Sequence, residues 1–172
     1  MSDSINEVPT VSNTTISVTA APSWRWRVFQ IGYAILAANF LLPVIGYIAA
    51  PDSAAASFIS LSTMFGVENY AWSEESRFWY VLGVGNVATL GFCCLLVLWN
   101  FKRFEPVVVP LVFLKACSVV GFGIAFIADP MPSFLIASVF DGLTCAAFLW
   151  LAHLARTHLS MQMIVDEQAV SA

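Results

Sequence analysis

"LVFLKACSVVGFG" occupies residues 111–123, and Lys115 is the one charged residue in it. Every other residue there is apolar or small. The run extends without another charge from 107 to 128, bounded by Pro106 on one side and Asp129-Pro130 on the other. About 20 helical residues cross a bilayer core, so this is a membrane span with an ammonium inside it. Three more runs have the same character, at about 28–50, 78–101 and 133–155. The chain has 172 residues, 59% hydrophobic and 10% charged. A soluble domain carries roughly a quarter charged residues, so lipid rather than water is the expected surround.

The expected fold is all-α: a polytopic four-helix transmembrane bundle over 24–156. Residues 1–23, rich in Ser, Thr and Asn, read as a disordered polar N-terminal tail. They lack the basic start and apolar run of a signal peptide. Residues 51–77 form the outer loop and 157–172 a C-terminal tail. Within the loop, "SFISLSTMFGV" (57–67) has apolar residues at helical spacing, which fits an amphipathic helix on the membrane face or a packed loop over the bundle mouth. Pro43 and Pro110 are candidate kinks.

Arg25, Arg27, Lys102, Arg103 and Arg156 fall at one end of the spans and Arg77 alone at the other. The positive-inside rule then places both termini in the cytoplasm. The net charge of -4 provides no basic footprint for nucleic acid. The expected partners are the lipid bilayer and other membrane proteins.

Depth along each span follows from the rise of about 1.5 Å per residue. Lys115 lies roughly 12 Å in from the cytoplasmic side and Asp141 roughly 18 Å, close enough for an extended lysine to reach. Asn86 falls near the height of Asp141 and Asn39 within a turn of it. The sequence therefore predicts an intramembrane polar layer of Asn39, Asn86, Lys115 and Asp141, one residue from each span, supported by Thr89, Ser118, Ser138 and Thr144. A lone intramembrane charge costs at least about 2.5 kcal/mol, so Lys115 is expected to pair with Asp141 and the two asparagines to complete the hydrogen bonds. Three readings stay open. The pair is a site for a ligand or proton, or it only fixes helix register, or Lys115 snorkels toward the interface and leaves Asp141 alone.

The other reactive groups exclude more than they indicate. Cys93, Cys94, Cys117 and Cys145 all lie in apolar runs, with no CxxC pair and no disulfide framework. His153 and His158, at the end of the fourth span and just past it, are five apart and on different faces. No metal ligand set, haem pair or other cofactor site follows from them. "GVGN" (83–86) and "GFG" (121–123) lack the strand, helix and lysine of a phosphate loop.

The layout resembles small four-helix membrane proteins of the DoxX-like kind. The likeness rests on a first span ending near a proline, "FG" (65–66) in the outer loop, "SEESRFW" (73–79) before a Gly-rich second span, a charge in the third and "DG" (141–142) in the fourth. The chain departs from that pattern in having lysine rather than arginine in the third span and a long polar N-terminal tail. The resemblance implies a four-helix bundle; some members resemble accessory subunits of quinol oxidases, and most have no assigned activity. It implies no catalytic residue. From small size, the lack of an evident active site and a polar tail of a sort that docks partners, the expected function is an accessory or assembly subunit of a larger membrane complex. The alternative is an autonomous carrier or binder of a hydrophobic ligand or proton. An enzyme lacks a recognisable nucleophile and base.

Overall fold

A computed structural model describes residues 23–50, 60, 63–64 and 74–171, by backbone alone over 74–80. Four long helices carry the fold: α1 (Trp24–Ala49), α2 (Glu74–Trp99), α3 (Val108–Ala128) and α4 (Pro132–Ser171). Among the described residues every regular element is helical. All four helices are long and apolar enough to cross a membrane. Residues 1–22 of the N-terminal tail and nearly all of 57–67 lie outside the described residues; at Ser60 and Met64 a single helical hydrogen bond of 3.0 Å is formed.

Local chemistry sets the ends. Ser23 caps α1 by accepting from the Trp26 N–H at 3.5 Å. Asn100 ends α2 and caps the single turn Phe101–Phe104, accepting from the Arg103 N–H at 3.1 Å. A 3₁₀ turn, Glu105–Val107, then leads into α3. Pro110 sits in the first turn of α3 and Pro132 opens α4, positions whose N–H groups have no helical acceptor in any case. Pro43 lies well inside α1, and the helix continues through it.

The helices pack as two antiparallel pairs, α1 with α2 and α3 with α4, closed by α1 against α4. α2 and α3 touch lightly although they are consecutive. α1 buries Phe29, Tyr33, Ala37, Phe40 and Val44, spaced by four, four, three and four. α4 answers with Asp141, Thr144, Phe148, Leu151 and Ala155. Both are stripes of one helical face. Phe148 is fully buried against the rings of Tyr33 and Phe40, and Phe29 meets Phe101 edge-on at 5.2 Å.

The contacts bring the basic residues to one end. Ser23 Oγ lies 2.8 Å from His158 Nδ1, and Arg156 Nε donates to Glu105 Oε1 at 2.6 Å. The second is an exposed pair and contributes little. α4 does not stop near residue 155. It has 40 residues, about 60 Å, roughly twice a bilayer core. His158, placed by the sequence just past the fourth helix, is inside it, buried under the start of α1 with the Trp26 ring at 5.3 Å. No Gly or Pro follows Ala155 to stop the helix.

Candidate functional site: a sealed ion pair between α3 and α4

α3 buries only Val108, Leu111 and Lys115. The spacing of three and four puts the lysine on the same stripe as the two apolar residues. It points inward because its helix turns it there. Asp141 occupies the equivalent place on α4, and Lys115 Nζ donates to Asp141 Oδ1 at 2.5 Å. Both side chains are 8% exposed. The ammonium also stands 5.0 Å from the centre of the Phe40 ring, contributed by α1. An ammonium over an aromatic face is attracted by the ring's electrons, most strongly where water is excluded. Three helices therefore meet at Lys115.

The rest of the predicted layer is arranged differently. Asn39 and Asn86 are exposed, and among the described residues neither forms a side-chain hydrogen bond with the pair. The expectation that they complete its hydrogen bonds is overturned. Asn39 lies one residue before Phe40, about 100° around α1 from the inward ring. Asn86 fails in the same way: it lies one residue before Val87, which packs on the core, and so about 100° around α2 from that inward contact. The inward face of this stretch is only half-buried, at Val84, Val87 and Ala88, and full burial begins at Leu90. Their heights are nonetheless close to the expected ones. Gly91 faces Leu41, and Gly32 faces Leu151. Counting along these antiparallel pairs puts Asn39 about one turn to the basic side of Asp141, and Asn86 about one turn to the other side.

Of the supporting residues, Ser138 does join helices: its hydroxyl donates to the Val119 carbonyl of α3 at 3.0 Å. Thr89 and Thr144 donate to carbonyls of their own helices, those of Gly85 and Phe140. Such back-bonding satisfies the hydroxyl locally and links nothing. Ser118 is half-buried beside Phe122 and Phe134 in a shallow surface groove. Two contacts escaped the sequence reading. Phe40 looks like any other core aromatic until its ring is seen beneath Lys115. Cys145 Sγ reaches the Val112 carbonyl at 3.7 Å, a weak contact across α3 and α4. The only signal for Phe40 was its place in the four-and-three stripe of α1.

A second buried polar group lies apart from the pair. The Tyr33 hydroxyl is wholly covered and has no hydrogen-bond partner among the described residues. An unmade buried hydrogen bond costs about 1–3 kcal/mol, whereas its removal is neutral or stabilising. Tyr33→Phe should therefore leave thermal stability in detergent unchanged or raise it. A clear fall would reveal a partner for the hydroxyl.

Chemically, the pair can hold α3 against α4 at one register. It is acceptor and donor to itself, nearly buried, and covered by a ring. Compared with known proteins, the chain matches no family model, no curated protein and no solved structure.

Proposed function

We propose that the chain is a multi-pass membrane protein with both termini on the cytoplasmic side, acting as an accessory or assembly subunit of a larger membrane complex. The orientation is supported by the clustering of Arg25, Arg27, Lys102, Arg103 and Arg156 at the end where Ser23 meets His158 and Glu105 meets Arg156. The observation that carries the subunit reading is the sealing of Lys115 against Asp141. A carrier or enzyme needs its charged groups within reach of a ligand, and this pair is spent on each other and on Phe40. Polar groups face outward instead. Asn86 and Thr89 are exposed on α2, near Gly83 and Gly85, which leave open space beside the backbone. Small and polar residues on a membrane helix are what a second helix packs on. The DoxX-like resemblance leans the same way.

The test is extraction of tagged chain from its native membrane in mild detergent, followed by mass spectrometry. The expected result is a stoichiometric set of other membrane proteins. Recovery of the chain with no protein but itself, carrying one lipid or quinone-type molecule, would overturn the subunit reading in favour of a carrier.

A further inference from the structure

One spot on α1 carries two unanswered polar groups. Pro43 lies inside the helix and has no N–H, so the carbonyl four residues back, that of Asn39, lacks its regular helical donor. The Asn39 carboxamide is itself exposed, and no described residue bonds it. Along that face Ile35, Asn39, Leu42, Gly46 and Ala49 follow at intervals of four, three, four and three, and all five are exposed. This spacing is the seam of a helix that packs on another at a shallow crossing angle. In hydrocarbon no water is available to satisfy the free carbonyl or the amide.

We infer that this seam is the contact between two copies of the chain, with Asn39 on the two-fold axis. All copies enter a membrane in one orientation, so the axis relating two of them runs along the membrane normal. Residues of equal depth then face each other in an isologous contact. Asn39 meets Asn39. A carboxamide is both donor and acceptor, so each NH₂ donates to the oxygen freed on the other copy. An unrelated helix matches this only if it happens to carry a polar group at the same depth. Gly46, one heptad further along, has nothing within 4 Å of the place a Cβ would take, which lets the backbones approach. Beside the seam, a groove of about 390 Å³ between α1 and α4, lined by Ile31, Ile35 and Trp150 among others, has room for side chains of the second copy.

The experiment places a benzophenone-bearing residue at position 35 or 42, and at 34 or 48 as controls, and irradiates the full chain in its native membrane. Ala34 and Ile48 are exposed too, but turned away from the seam by about 100° or more. Adducts of about twice the 18.8 kDa chain mass are expected at 35 and 42 and not at 34 and 48. Asn39→Leu should lower their yield roughly fivefold or more, and Asn39→Gln should preserve it. Asn39 contributes nothing to the buried core, so both variants should reach the same abundance in the membrane as the parent. Equal labelling at all four positions, adducts of another mass, no adduct, or an Asn39→Leu variant that crosslinks as well as the parent would each overturn the dimer. Co-purifying proteins do not enter this readout, so the dimer and the hetero-complex stand or fall separately.

Discussion

Lys115→Met alone should deplete the folded protein from the membrane, and Lys115→Met combined with Asp141→Leu should bring it back. Removing one member of a buried ion pair leaves the other charge without compensation and costs about 3–5 kcal/mol, while replacing both with apolar residues of similar volume is often neutral or stabilising. Folded domains hold only about 5–15 kcal/mol in reserve, so the single change is severe. The structure adds an asymmetry. In Asp141→Asn the ammonium keeps the Phe40 ring at 5.0 Å and gains an amide oxygen that can still accept from it. In Lys115→Met the Asp141 carboxylate loses the donor that the structure shows for it, and a ring face that attracts a cation offers an anion nothing in return. Lys115→Met should therefore be the worse of the two, and Phe40→Leu should narrow the gap between them. Size-exclusion profiles of tagged protein in mild detergent, normalised to total expression, would measure these variants, with Phe40→Leu combined with each single change in turn. A double variant as depleted as Lys115→Met would sink the register-lock account. A double variant that is abundant but fails to support the native complex would mean the pair acts on something outside the bundle.

That asymmetry also marks the boundary of what the sequence can say. Four spans were legible because hydropathy and length suffice for them, and the basic end was legible because five cations fall on one side of the count. The pairing of Lys115 with Asp141 was legible as well, since a charge in hydrocarbon has few alternatives. The rotation of α1 and α2 was not. Ile31, Ile35, Leu42, Ile45 and Ile48 on the exposed face of α1 are as apolar as Phe29, Tyr33 and Phe40 on its buried face. Where the surround is lipid, inside and outside make the same demand, and the periodicity that orients a helix in a soluble protein disappears. Neutral asparagines do not restore it. Depth estimates put Asn39 and Asn86 within about a turn of the ion pair, but nothing in the sequence said that they turn away from it. Nor does any Gly or Pro mark an end for α4, whose later turns bury His158 against Trp26 and so cover the start of α1.

Packing between the helices is decided instead at two glycines, and Gly32→Ala should be the most damaging glycine-to-alanine change among the described residues. A Cβ at residue 32 would stand 2.6 Å and 2.7 Å from the two methyls of Leu151 and 3.2 Å from its Cγ. Leu151 is 3% exposed and gives way only toward the groove that it and Gly32 line between α1 and α4. Either Leu151 leaves its packed position or α1 and α4 separate, at an overpacking cost of about 1–3 kcal/mol. Gly91→Ala meets Leu41 at 2.6 Å in the same way, but Leu41 is only half-buried and can swing outward. Its cost should sit at the lower end of that range. Gly83→Ala has the opposite sign: nothing lies within 4 Å, and replacing a helical glycine gains up to about 1 kcal/mol. The order of melting temperatures in detergent should then be Gly83→Ala at or above the parent, Gly91→Ala below it, and Gly32→Ala lowest. Leu151→Val, which vacates part of the space, should rescue Gly32→Ala and leave Gly91→Ala unchanged, because the two glycines serve different helix pairs. Rescue of both by Leu151→Val, or of neither, would mean that these close approaches do not set the spacing of the bundle.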